Sequence, residues 1–340
     1  MASLARTLAI RTSPHVLSGA SVDTIMVNVV LALLPATAFG IYAFGAPAAL
    51  TLATALASCA LTELASCRLA GRPSTLGDWS VTVTGLLYGL TLPPGLPLWM
   101  TALGGAIAVG LGKALFGGLG YNPFNPALVG RAVLQAAFPV AMTSWLPVFD
   151  PARFVSLPAS TLTPPFTTPV YDAVTGATPL AQWKFGHALT ASGELALGMV
   201  SGSTGETSAV LILLGGAYLV ARNMMSWRIP LAVLVTVGGL AGLLHEIDPQ
   251  RHAPAGFHRF SGGLMLGAVF MATDMVASPM TALGGYLYGA LIGALTLVIR
   301  VWGGLPEGVM YAILLANAVS PLLDRAIRPR TYGTRGPART

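Results

Sequence analysis

Two apolar runs, at residues 25–44 and 48–67, constrain the fold more than anything else in the chain, because only Gly45, Ala46 and Pro47 part them. Each holds about 20 residues, the length a helix needs to cross a hydrocarbon core of about 30 Å. Inside a bilayer the backbone must satisfy its own polar groups, so a spanning hairpin of this kind is helical. The rest of the composition agrees. Charged residues make up 9% of the 340 and mean hydropathy is +0.72, where a soluble domain would carry about a quarter charged. The fold class is therefore all-α integral membrane protein, and 40 Gly with 25 Pro point to short or broken helices among the spans.

Further apolar segments follow at 81–92, 98–116 and 127–140, then at 208–221, 229–244, 262–275, 283–300 and 309–323. That gives about ten in all, several of them too short for a comfortable span. Between 116 and 131 the chain reads Phe116-Gly-Gly-Leu-Gly-Tyr-Asn-Pro-Phe-Asn-Pro-Ala-Leu-Val-Gly-Arg131. Two Asn-Pro pairs cannot sit inside a helix without freeing backbone groups, which at membrane depth must be satisfied by protein or a wet cavity. The chain divides into a segment 1–24, a first membrane repeat 25–140, a Pro-, Ser- and Thr-rich loop 141–207, a second repeat 208–323 and a basic tail 324–340.

Net charge is +6, but the arginines gather at the two ends and in short loops, which fits lipid topology and gives no reason to expect a nucleic-acid partner. Arg6 and Arg11 at one end, Arg325, Arg328, Arg330, Arg335 and Arg339 at the other, and Arg68, Arg72, Lys113, Arg222 and Arg228 between them place both termini in the cytoplasm. Arg251, Arg259 and Arg300 run against this without reversing it. The loop 141–207 is then extracytoplasmic. Residues 1–15 lack an apolar core with a cleavage site, so the first span is expected to be retained. Cys59 and Cys67 have no iron–sulfur or redox-pair spacing, and His245, His252 and His258 share an outer region without metal-ligand spacing.

The two halves echo one another. Gly85-Leu-Leu-Tyr-Gly89 resembles Gly263-Leu-Met-Leu-Gly267, Met100-Thr-Ala-Leu-Gly-Gly105 recurs as Met280-Thr-Ala-Leu-Gly-Gly285, and Phe116-Gly-Gly-Leu-Gly120 as Trp302-Gly-Gly-Leu-Pro306. A repeat of five segments is odd, so the second copy enters the membrane from the other side, and such inverted repeats carry binding sites between their halves. Asn122 and Asn125 in the first half and Glu307 in the second fall at related positions, at the starts of short helices. Polar groups at that depth usually mark a site, although Glu307 and Arg131 could equally be a structural pair.

One loop stands apart: Tyr171-Asp172-Ala173-Val174-Thr175-Gly176-Ala177-Thr178-Pro179-Leu180. Gly176 and Ala177 leave little bulk beside the Thr178 hydroxyl, so a large group could reach it. Local chemistry leaves a second reading open, a turn whose hydroxyls bond to nearby backbone.

Taken together, these strings resemble a family of membrane subunits that contains RnfD of the bacterial Rnf electron-transport complex and the B subunit of the sodium-pumping NADH:quinone reductase. The likeness runs from Ser13-Pro-His through Gly-Tyr-Asn-Pro-Phe-Asn-Pro-Ala, Asp-Ala-Val-Thr-Gly-Ala-Thr and Phe-Met-Ala-Thr-Asp to Pro-Glu-Gly-Val-Met-Tyr-Ala and Asp324-Arg325. The short N-terminus favours the RnfD branch. The resemblance implies that the second Thr of a Ser/Thr-Gly-Ala-Thr sequence, here Thr178, is joined by a phosphoester to FMN by a separate flavin transferase. Asp172, Thr175, Gly176 and Ala177 would complete the attachment motif, with Thr175 where Ser is more usual. It further implies a subunit of an ion-translocating ferredoxin:NAD oxidoreductase of the bacterial inner membrane, partnered by Rnf subunits A, B, C, E and G. Electrons would be relayed through the flavin and coupled to Na+ or H+ movement, with no complete active site in this chain alone, no catalytic side chain and no metal. Because the relative binds riboflavin as well, Asn122, Asn125, Arg131 and Glu307 are candidates for a second flavin or quinone-like site. A small-solute channel of inverted-repeat fold and a plain membrane scaffold are the other classes; neither carries a flavin.

Overall fold

The computed structural model describes residues 21–167, 176–206 and 208–328, so Asp172 and Thr175 lie outside the described residues. Helix α1 (Val22–Phe44) starts where the Ser21 hydroxyl accepts from Thr24 N, a standard cap for otherwise unpaired N–H groups. It is followed by α2 (Ala46–Leu69), α3 (Ser80–Leu90), α4 (Leu98–Gly110), α5 (Pro126–Ala137) and a single turn, α6 (Pro139–Met142). The loop after them holds α7 (Pro179–Gly186) and α8 (Ser192–Leu197). The second half contains α9 (Ala209–Ala221), α10 (Arg228–Ile247), a short α11 (Ala255–Phe260) and α12 (Leu264–Leu266), which runs into a π turn at Gly267–Met271. It closes with α13 (Ala282–Trp302) and α14 (Val309–Ala326). Among the described residues six helical stretches are long and apolar enough to cross a membrane, and α3 and α9 are shorter apolar helices. The chain is a multi-pass membrane protein.

Helices α1 and α9, which open the two halves, run in opposite senses. Tyr218 of α9 bonds to Asn28 of α1, a methyl at Gly215 would meet Ala32, and one at Gly40 would meet Thr204 just before α9; rising numbers on α1 meet falling numbers on α9. The recurring Gly-Gly pairs do the same job in each copy. Gly105 of α4 faces Ser58 and Cys59 of α2, while Gly285 of α13 faces Ile229 of α10, and Gly289 and Gly293 continue that contact along Ala232 and Thr236. Small residues four apart let helix backbones come close where lipid supplies no hydrophobic drive.

The bundle has a near end, where α1 begins, and a far end, where it stops. Helix α3 ends short of the far end, leaving carbonyls that the loop before α9 satisfies: Gly205 N donates to Leu90 O at 2.7 Å and Thr204 N to Leu92 O at 3.2 Å. The π turn in the second half is likewise met from the first half, where Asn125 Nδ2 donates to Met271 O at 3.4 Å. The end of α3 is thus closed by the loop 141–207 and the π turn by the first repeat, as lipid requires.

Two sequence expectations change. The helix after Glu307 is not short, because α14 runs 18 residues, and the run at 262–275 is not a plain helix but a single turn and a π turn. Glycines at 262, 263 and 267 and the close packing of Val309 and Ile313 against Gly267 explain the second, since hydropathy cannot register a change of helical pitch.

Candidate functional site

Pro179 fixes the backbone angle that opens α7, and Thr178 before it is the extended N-cap residue. Its Oγ1 accepts from Ala181 N at 3.3 Å. The turn is anchored on both sides: Gly176 N donates to Trp145 O at 2.9 Å, and a Cβ at Gly176 would collide with the Ser201 side chain. At the other end of α7, Lys184 Nζ donates to Arg300 O at 3.0 Å, Gly303 O at 2.5 Å and Leu305 O at 2.9 Å. Lys184 thereby ties the helix that carries Thr178 to the end of α13.

Thr178 lies on the wall of a far-end cavity of about 450 Å³, within the ~300–1,000 Å³ range of small-molecule sites. Trp145, Phe185, Met310 and Tyr311 form apolar walls, and Arg131, Gln135, Glu206 and Glu307 supply polar groups. Glu307 is fully engaged. Its Oε1 accepts from Gly308 N and Val309 N at 3.0 and 3.2 Å, its Oε2 from Gly263 N at 3.1 Å, and both from Arg300 Nη2 at 3.1 Å. Arg300 in turn donates to His258 O and Ser261 O. The partner of Glu307 is therefore Arg300, not Arg131. Arg131 is 6% exposed, and among the described residues it has no ion pair and its Nε has no hydrogen-bond partner. A buried guanidinium in that state is expensive unless something else fills its donors.

Asn122 and Asn125 are elsewhere. They line a near-end cavity of about 120 Å³ with Met26, Met224, Met225 and Met275. Asn125 caps α5 through Ala127 N at 3.1 Å and Leu128 N at 3.4 Å, and Asn122 Nδ2 donates to Phe124 O and, at 3.5 Å, to Asp274 Oδ2. Lys113 also faces this cavity, with Nζ held by Glu63 Oε1 and Ser80 Oγ at 2.8 Å each. The four residues grouped from sequence thus divide between two sites. Asn125 and Arg131 belong to one helix, but six residues of α5 raise the chain by about 9 Å.

Glu206 was not foreseen. Its only signal is an acidic residue in Gly202-Ser-Thr-Gly-Glu206, abutting an apolar span. Burial pushes its carboxyl up from the ordinary range and the Glu307 charge adds to this, with Arg131 acting in the opposite sense.

The chain matches the NQR2, RnfD, RnfE family over residues 9–333. It is 46% identical over 329 residues to the D subunit of the ion-translocating oxidoreductase complex of Stutzerimonas stutzeri, covering 92% of each chain. It is 41% identical to the D subunit of a proton-translocating ferredoxin:NAD(+) oxidoreductase complex of Clostridium ljungdahlii, covering 96% of both. To the corresponding D subunit of a Na(+)-translocating complex of the same type from Acetobacterium woodii it is 40% identical, covering 96% and 95%.

Proposed function

The chain belongs to the NQR2, RnfD, RnfE family, and from that premise we propose that it is the membrane flavoprotein subunit of an Rnf-type complex, carrying FMN as a phosphoester on Thr178. It relays electrons between partner subunits while the complex couples ferredoxin and NAD electron transfer to movement of Na+ or H+. The observation that carries this reading is the Thr178 hydroxyl on the wall of a cavity that also holds Arg131, which among the described residues is in no ion pair. Threonine Oγ1 spends an acceptor lone pair on the α7 cap, so its proton is free to be replaced by a phosphoryl group. Arg131 would pair with the phosphate oxygens, and the first turn of α7 adds the positive end of its dipole. Trp145, Phe185, Met310 and Tyr311 would exclude water from a planar apolar ring. Bound there, the flavin supplies electron chemistry that no side chain of this cavity can. Glu307, clamped by Arg300 and capping α14, keeps the cavity floor in place.

A flavin transferase installs the group, and Rnf subunits A, B, C, E and G are the partners. A second, non-covalent flavin, riboflavin, is assigned to the near cavity at Asn122 and Asn125; its four methionines are soft enough to open 120 Å³ further. The distribution of arginine puts both termini in the cytoplasm of a bacterial inner membrane and Thr178 outside. Relatives named for H+ and for Na+ are 41% and 40% identical, so overall likeness favours neither ion.

The test is peptide mass spectrometry of the chain purified after co-expression with its transferase, beside Thr178→Ala, with in-gel flavin fluorescence. An FMN-phosphoryl increment on the Thr178 peptide, absent from the variant, is the expected result. An unmodified peptide, with the transferase active on another substrate, would sink the reading.

A further inference from the structure

Among the groups facing the far cavity, Glu206 is the one carboxylate the Glu307 clamp leaves unused. Its loop cannot swing away, because Thr204 and Gly205 are bonded to the end of α3, and a Cβ at Gly205 would meet Leu90 and Leu266 at 2.8 and 2.9 Å. Among the described residues its carboxyl group accepts from Ser203 N at 3.4 Å, and no lysine or arginine nitrogen is within ion-pair distance of it. Three groups face it across the cavity: Arg131 from α5, Glu307 from the turn before α14 and Tyr311 from α14. Glu307 is held by three backbone N–H groups and Arg300, so two carboxylates share one enclosed space and the poorly bonded one, Glu206, is the one that keeps a proton. Arg131 lies on the same wall, able to pair with Glu206 once that proton leaves.

We propose that Glu206 holds a proton in the resting cavity and passes it to the redox group there when an electron arrives. This rests on the flavin reading above. One electron comes from a redox centre of a partner subunit and one proton from the Glu206 carboxyl; both go to the bound group, and the Glu206 carboxylate is left opposite Arg131. Oxidation returns the electron to a partner centre and the proton to Glu206. The negative charge that this electron brings therefore rests on a side chain beside a guanidinium, not on the ring.

Infrared difference spectroscopy tests this at neutral pH with the full chain in detergent. In the resting state a protonated-carboxyl C=O band should be present in wild type, in the flavin-free Thr178→Ala chain and in Glu206→Asp, and absent from Glu206→Gln. On reduction of the loaded wild-type chain the band should give way to carboxylate bands. Glu206→Gln should then hold its electron at least tenfold less favourably at a fixed potential, a shift of about 59 mV for one electron. A resting wild-type chain without the band, or a band that survives reduction, would overturn the proposal while leaving the flavin in place. A chain that carries no flavin removes the functional reading and this proposal with it, a distinct outcome recorded by mass alone.

Discussion

The far and near cavities are both lined by residues from the two halves of the chain, yet they treat their buried cation differently. Lys113 at the near cavity is 2% exposed and fully spoken for by Glu63 and Ser80, with Thr75 also bonded to Glu63. Arg131 at the far cavity is almost as buried and has no such partner among the described residues. A count of polar residues would rank the two alike. What separates them is the inventory of satisfied donors on the cation: among the described residues the far cavity's guanidinium, unlike the near cavity's ammonium, is in no ion pair.

The largest effect should come from Thr178→Ala, which removes the attachment oxygen. Covalent flavin should vanish, read as the mass increment and in-gel fluorescence, while flavin released by acid precipitation stays at the wild-type level. Loss of both pools would show that the cavities are not independent. Arg131→Met comes next. Attachment should fall severalfold because the phosphate loses its counter-charge. The unmodified chain, relieved of a buried guanidinium with no ion pair among the described residues, should gain on the order of 1 kcal/mol in thermal unfolding. A variant that loses stability and keeps its flavin would mean that Arg131 is a structural group paired outside the described residues.

Hydropathy revealed every apolar segment of the bundle because lipid exposure writes itself into residue type, and the Met-Thr-Ala-Leu-Gly-Gly repeats revealed the inversion because the same Gly packs the same partner in each half. The site was only half legible. Thr178 stood out through the small residues beside it, whereas Glu307 was grouped with Asn122 and Asn125 by equivalence within the repeat, and Arg131 joined them as a possible partner of Glu307. Equivalent positions of an inverted repeat face opposite ends of the bundle, so that equivalence was itself the reason they could not share a site. Glu206 escaped because a single acid at the edge of a span reads as a solvated flank; its burial depends on Gly205 reaching the carbonyl of Leu90, some hundred residues away in sequence.

Acid should loosen the far end alone. His258 is 4% exposed, and burial, with Arg300 and His252 nearby, lowers its pKa to about 3, from about 6.5 when unfolded. The sign follows: stability is whole above about pH 6.5 and is lost as pH falls toward 3, at most about 1.4 kcal/mol per unit. From pH 6.5 to 5 the wild type should lose about 1.6 kcal/mol, and His258→Leu should flatten that slope. Because the His258 carbonyl accepts from Arg300, proteolysis near α7 should rise over the same interval. Among the described residues no histidine lines the near cavity, so a riboflavin bound there as proposed should be retained.

The smallest effect sharpens the comparison most, because Asn125 does two things at the near cavity. Its Oδ1 caps α5 and its Nδ2 bonds the last carbonyl of the π turn. Asn125→Ala removes both and should cost about 1 kcal/mol, the usual value of an N-cap. It should reduce acid-released flavin and leave the Thr178 adduct untouched. Asn125→Asp keeps the cap and removes only the donor to Met271 O, so it separates the two roles. If Asp retains stability but loses the releasable flavin, the cross-repeat bond shapes the near cavity. If Ala and Asp both keep that flavin, the near cavity is packing alone, and the far cavity is the only cofactor site of the two.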